Sequence, residues 1–228
     1  MVRKLSESKY IVAFTITFLF FLTGLLIGVT MSNYRVQSLE TFSELQRLEY
    51  DSLQLQYQYL SSLIMEEENC PALMSALEVN LANLEKARMK LEGYISRVES
   101  DKDQYMVLKR DYTLAEIRYW FLLNEVKGKC DIDVVSIIYF YSIDSTCKSC
   151  DTQGLILNEL KDEFKDKLLI FALDLNFDEA MIKILKESYG VKIAPSLIID
   201  GSLVEGFIKR DDLLNKLCEN YEKEVDAC

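Results

Sequence analysis

Cys147 and Cys150 are separated by Lys148 and Ser149. Residues 134–141 before them read VVSIIYFY, an apolar, β-leaning run, and residues 151–164 after them carry a helical pattern. Two thiols at this spacing, at a strand-to-helix junction, are the layout of a dithiol redox site. In the first turn of a helix, positions i and i+3 share a face, so the two sulfurs can meet. A helix N-terminus also offers unpaired N–H groups and partial positive charge, which favour the thiolate that attacks a disulfide. Lys148 adds positive charge beside Cys147, and Asp144 and Asp151 oppose it. The spacing alone also fits half of a zinc site, so the rest of the chain must decide.

Composition narrows the choice. The chain has 228 residues, half of them apolar, and a net charge of −11, which argues against nucleic acid as a partner. It contains no histidine. Cys/His zinc sites, Cys–His nucleophile pairs and histidine general bases are therefore excluded. Six cysteines occur, at 70, 130, 147, 150, 218 and 228, and only one pair forms a CxxC. A four-cysteine metal site would need distant partners. No metal site and no cofactor are expected.

Residues 10–31 read YIVAFTITFLFFLTGLLIGVTM, without a charge. That is long enough to cross a bilayer as a helix. The run is longer than a usual signal-peptide core and no clear A-x-A site follows, so an uncleaved anchor is expected. Arg3, Lys4 and Lys9 precede it against Glu7, whereas Arg35 and Arg47 on the far side stand among Glu40, Glu44, Glu49 and Asp51. The positive-inside rule then predicts a single-pass cell-membrane protein. Residues 1–9 are then expected in the cytoplasm, residues 10–31 in the membrane and the chain from about residue 33 onward outside, where disulfides persist.

Residues 35–128 read as helical, in a coiled-coil-like region. Leu73, Leu77, Asn80, Leu84, Ala87, Leu91, Tyr94 and Val98 follow 4-3 spacing, as do Tyr105, Leu108, Tyr112, Ala115, Tyr119, Leu122 and Val126. An earlier seam from Leu39 to Ile64 carries one slip. Pro71 after Asn69-Cys70 marks a helix start, Ser100 can cap a second, and Gly128 suits a C-terminal stop. Helices over 71–99 and 101–127 are nearly equal in length, so an antiparallel hairpin is the economical packing. It returns Cys70 and Cys130 to one end, and a structural disulfide between them is predicted. Two separately packed thiols are the alternative. The tyrosines and Asn80 on the seams fit partly wet helix packing or a homodimer seam. The first helix completes a three-helix bundle or pairs with another chain.

Residues 131–224 change period. Strands are expected over 134–141, 168–175, 196–199 and 203–208, and helices over 147–164, 178–189 and 211–222. On the first helix Leu155, Leu157, Leu160 and Phe164 are the expected apolar positions. Asp200-Gly201 reads as a hairpin turn. The order β-α-β-α-β-β-α implies a mixed sheet, parallel in its βαβ part and antiparallel in its terminal hairpin.

This region resembles a thioredoxin-like domain. The resemblance rests on VVSIIYFY, on Cys147-Lys148-Ser149-Cys150 and on residues 189–199, YGVKIAPSLII. It implies a cis peptide bond between Ala194 and Pro195, facing the cysteine pair and leaving backbone groups free to hold an extended substrate. It implies Cys147 as the attacking sulfur and Cys150 as the resolving one. Protein thiols or disulfides would be substrates, and a membrane or soluble dithiol protein the electron partner. Two departures stand out: Thr146 where many thioredoxins carry Trp, and Lys148-Ser149 between the cysteines. The direction of electron flow stays open.

Cys218 sits among leucines and reads as a buried apolar residue. Cys228, in a tail over 225–228, is free, pairs with Cys218 or joins two chains. The chain thus reads as a membrane-anchored, extracytoplasmic thiol–disulfide oxidoreductase. The alternative is a redox-inactive scaffold whose helical region mediates interactions.

Overall fold

The computed structural model describes residues 11–29, 52, 54–55, 70–95, 102–143 and 147–228. The chain divides into two units, Met1–Tyr59 and Leu60–Cys228. The seam from Leu39 to Ile64, the caps at Asn69 and Ser100, and Val98, Asp144 and Thr146 lie outside the described residues.

In the first unit, α1 spans Ile11–Val29 and is long and apolar enough to cross a membrane. Its 19 residues reach about 28 Å at the helical rise, close to the ~30 Å of a bilayer core. Its three polar side chains satisfy themselves locally. The hydroxyls of Thr15, Thr17 and Thr23 donate to the carbonyls of Ile11, Ala13 and Leu19, one turn back.

The second unit begins with α2 (Cys70–Ile95) and α3 (Lys102–Lys127), which pack on each other. The predicted seam is buried in α2 at Leu73, Leu77, Asn80, Ala87 and Tyr94. In α3 it is buried at Ala115, Tyr119, Leu122 and Val126. Cys70 and Cys130 are bonded at the base of this hairpin, with Cα atoms 5.7 Å apart.

The α/β part follows as β1 (Val135–Tyr141), α4 (Cys150–Phe164), a 3-10 turn (Lys165–Lys167), β2 (Leu168–Asp174), α5 (Ala180–Tyr189), β3 (Ser196–Ile199), β4 (Ser202–Glu205) and α6 (Arg210–Cys218). The sheet order is β2-β1-β3-β4. β1 and β2 are parallel, and the β1–β3 and β3–β4 pairs are antiparallel. Helices followed by a mixed four-stranded sheet are the expected architecture, and this element order is consistent with a thioredoxin-like fold. The Asp200–Gly201 turn takes φ of 43° and 86°, as a two-residue hairpin with a primed turn requires.

Strand alternation gives the sheet two apolar faces. Val135, Ile137, Leu168, Leu197 and Ile199 face Leu157, Leu160 and Phe164 of α4 and Leu213 and Leu217 of α6. Ile138, Phe140, Phe171, Leu173 and Ile198 face the other way, onto α5 and the helical hairpin. The hairpin is therefore part of the core. Trp120 packs edge-on against Tyr189, with ring centroids 6.2 Å apart.

That packing buries a second stripe of α3, which 4-3 spacing does not reveal: Lys109, Thr113, Glu116, Ile117, Trp120 and Leu123. Its two ionisable residues, Lys109 and Glu116, each meet a group on β2. Lys109 pairs with Asp174 at 2.5 Å, both side chains nearly buried. Removing either partner strands a buried charge, which costs about 3–5 kcal/mol. Lys127 pairs with Asp200 at 2.6 Å, and the other Asp200 oxygen accepts from the Ser136 N–H. Glu116 accepts a hydrogen bond from the N–H of Ala172 on β2, an edge strand. An unpaired edge N–H thus finds an acceptor in the helix that covers it.

Two sequence expectations are corrected here. Cys218 is not an isolated apolar residue but is bonded to Cys228, which selects one of the three options for Cys228. Val225 and Ala227 of the last segment consequently pack on the α6 side of the core. On α4, Leu155 is 69 % exposed although it was expected to face the core, and Gln153 is buried in its stead.

Two stability measurements test this packing. Burial lifts the Glu116 carboxyl from an ordinary 4.5 to about 8, partly offset by the Ala172 N–H. The folded state therefore favours the protonated form. Below about pH 4.5 the contribution is fully present. Between about 4.5 and 8 the unfolded chain releases its proton first, and stability falls by up to roughly 1.4 kcal/mol per pH unit. Above 8 the loss levels off. Glu116→Gln keeps an acceptor for Ala172 but does not ionise, so in urea titrations its stability relative to the parent should rise across this window and then plateau. A parallel pH dependence for the two proteins would contradict it. Separately, the Cys70–Cys130 bond closes a 60-residue separation. Replacing both cysteines with serine should lower unfolding free energy by about 4 kcal/mol on the chain-entropy account, and an unchanged denaturation midpoint would refute that role.

Candidate functional site

The candidate site grows from the C-terminal end of β1. Seven residues of β1 pair with β2 on one side, and four of these pair with β3 on the other. The strand is held on both edges up to Phe140. Beyond Tyr141, the last residue paired with β2, Cys147 opens the turn that leads into α4.

Cys147 and Cys150 are joined by a disulfide, with Cα atoms 5.5 Å apart. They do not share the first turn of the helix, as the spacing predicts. α4 begins at Cys150, Ser149 occupies its N-cap position, and Cys147 belongs to the preceding turn. The bond therefore spans the helix boundary. Both sulfurs remain at the N-terminal end of α4, where the first N–H groups lack helical partners.

The two cysteines differ in access. Cys150 is 4 % exposed, whereas Cys147 is only partly buried. The backbone N–H of Ser142 donates to the sulfur of Cys150 at 3.4 Å. The Tyr139 hydroxyl donates to the carbonyl of Cys150 at 2.6 Å and fixes the head of α4 to β1. Burial holds the Tyr139 phenol protonated by pushing it up to about 12, so it remains a donor at neutral pH.

The other predicted site residues sit close by in topology. The Ala194–Pro195 peptide bond is cis. Ser196 pairs with Phe140 across the sheet, so Pro195 lies one register step beyond, level with Tyr141. It therefore occupies the sheet end from which the cysteine loop departs. The Pro195 carbonyl accepts from the Gly206 N–H at 2.9 Å. Two residues on, the Ile208 N–H donates to the buried Gln153 side chain of α4 at 2.9 Å. The proline loop, the segment after β4 and the cysteine-bearing helix are thus linked by named bonds. Cys70 and Cys130 lie at the base of the hairpin, as a holding pair.

A cleft of about 860 Å³ opens at the disulfide. Cys147, Lys148 and Cys150 line it, together with Ile143, Leu155 and Tyr112. Tyr112 comes from α3. On the sequence it reads as an ordinary seam residue, and nothing in its neighbourhood separates it from the other seam tyrosines. Burial, followed by the nearby Glu116 charge, keeps its phenol protonated. Among the described residues, no group of three or more Cys, Asp or Glu could hold a metal ion. The arrangement presents a disulfide between a partly exposed cysteine, Cys147, and a buried one, Cys150, at the wall of an open cleft.

Access makes a prediction about order. After reduction, a limiting dose of iodoacetamide should modify Cys147 well ahead of Cys150, as read by peptide mass mapping. Equal labelling, or the reverse order, would contradict the assigned asymmetry.

No known protein family matches the chain, and no curated protein does. Among solved structures, a malarial protein is 19% identical, with a TM-score of 0.33, over 40% of this chain and 100% of its own. A second, thioredoxin-2, described as a component of the malaria parasite protein secretion machinery, is 20% identical, with a TM-score of 0.32, over 38% of this chain and 84% of its own.

Proposed function

We propose that this chain is a membrane-anchored thiol–disulfide oxidoreductase whose exchanging group is the Cys147–Cys150 pair. The observation that carries the reading is the asymmetry of that disulfide, with Cys147 partly exposed and Cys150 buried. A purely structural bridge has no need of a reachable sulfur in an open cleft.

The oxidised form exchanges in two steps. A substrate thiolate attacks the Cys147 sulfur, a substrate–Cys147 disulfide forms, and Cys150 leaves as a thiolate that takes up a proton. The Ser142 N–H donates to the departing sulfur and stabilises its charge. A second substrate thiol, as its thiolate, then attacks the substrate sulfur of the mixed disulfide. Cys147 is released, the substrate gains a disulfide, and the protein holds two thiols. Two electrons have moved to the protein. The reverse sequence reduces a substrate disulfide, with Cys147 as attacking thiolate and Cys150 resolving the mixed species. Lys148 at the cleft adds positive charge near the reacting sulfur, which favours its thiolate. Ala194 and Pro195 flank the exchange at the adjacent sheet end. Protein thiols or disulfides are the substrates, and a second dithiol protein turns the pair over.

α1 anchors the chain, with the N-terminus in the cytoplasm and the cysteines outside. The flanking charges support that orientation. The disulfides of the second unit suit an oxidising compartment.

The deciding measurement is the reduction potential of Cys147–Cys150, paired with trapping by Cys150→Ser. A potential within the range of exchange proteins, together with covalent partners captured on Cys147, is the expected result. A potential below about −300 mV with no captured partner would leave a structural bond and remove the redox reading.

A further inference from the structure

The cleft has a wall that the α/β part does not supply. Tyr112 belongs to the helical hairpin, yet lines the same cleft as both cysteines. Its place is determined by the burial of α3 on the sheet, through Lys109 on Asp174 and Glu116 on Ala172. These two anchors stand on either side of Tyr112 along the helix.

Facing features are equally specific. α4 buries Leu157, Leu160 and Phe164, but leaves Leu155 69 % exposed in the cleft. Ile143, after β1, is 67 % exposed there too. Among the described lining residues, Lys148 and Asp151 carry formal charge, one of each sign. At about 860 Å³ the cleft is far larger than one cysteine side chain and falls in the range that holds a drug-sized ligand.

Resting on the oxidoreductase reading, we propose that this cleft is a docking groove for an extended substrate polypeptide carrying an apolar side chain beside its exchanging cysteine. Tyr112 and Leu155 grip that side chain. The disulfide in the cleft wall commits the occupant to a sulfur-bearing molecule, which a lipid is not. The volume favours a polypeptide segment over a small thiol. The exposed Leu155 and Ile143 favour apolar neighbours, because covering them removes apolar surface from water. The hairpin thereby acts as a specificity element and not only as a support.

The test uses the full chain, oxidised, in detergent micelles. Two reduced peptides of equal length and charge each carry one cysteine, flanked by Phe and Leu in one and by Ser and Gly in the other. Disulfide exchange is followed with each, and with dithiothreitol. The parent protein should react roughly tenfold or more faster with the apolar peptide, the discrimination one well-placed apolar side chain supplies. Tyr112→Ala and Leu155→Ser should each bring that ratio toward one, and a ratio cancels any general change in disulfide reactivity. Leu155 is exposed, so its variant leaves the core intact and keeps the test open if Tyr112→Ala does not fold. Equal rates for the two peptides in the parent protein would overturn the groove while leaving the redox reading in place. So would a ratio that neither variant moves. Rates that fall as lipid is added, or as protein concentration rises, would assign the cleft to lipid or to a second copy, and overturn the proposal. If dithiothreitol reacts but neither peptide does, the groove fails alone. If none reacts, the redox reading fails with it.

Discussion

The rest of the structure depends on a helix buried on two sides. α3 turns one stripe toward α2 and another toward the sheet. A surface helix usually hides a single apolar stripe. Here the second stripe contains Lys109, Thr113 and Glu116, and their burial is tolerable because Lys109 and Glu116 meet partners on β2. The result is one shared core for the hairpin and the α/β part. It also gives one N–H of the edge strand β2, that of Ala172, an acceptor.

That constraint carries through to the proposed chemistry. With α3 locked on β2, Tyr112 is held at the cleft of the Cys147–Cys150 pair. The disulfide itself is braced from the opposite direction. Tyr139 holds the head of α4, Ser142 addresses the Cys150 sulfur, and Gln153 ties α4 to the segment after β4. A site braced on several elements keeps one sulfur accessible and the other covered. That geometry separates an attacking role from a resolving one in the proposed reaction. The three disulfides divide by surroundings in the same way. Cys70–Cys130 closes the hairpin base, Cys218–Cys228 pins the last residues to α6, and Cys147–Cys150 borders open space.

Much of this was legible in the residues because local patterns carry it. The short apolar runs of the strands, the Asp200-Gly201 turn and the 4-3 seams each follow from short-range sterics and burial. The Cys70–Cys130 bond was legible because two arms of similar length return to one end. Leu155 misled because its type says apolar, while its angular position on α4 points away from the sheet. The start of α4 was read three residues early because a helical period does not locate the first hydrogen bond.

The sequence by itself determined the elements, their order, the Cys70–Cys130 pairing apart from the Cys147–Cys150 pair, and an apolar span of membrane length. Tertiary structure alone decided that the hairpin joins the core of the α/β part and that Tyr112 reaches the cleft. It also decided which cysteine is shielded and where Cys228 finds its partner. The physical reason is range. Periodicity and turn chemistry act over a few residues, whereas Lys109 and Glu116 become acceptable core residues only through partners 65 and 56 positions away. No local pattern announces a buried ionisable group whose partner lies on another element.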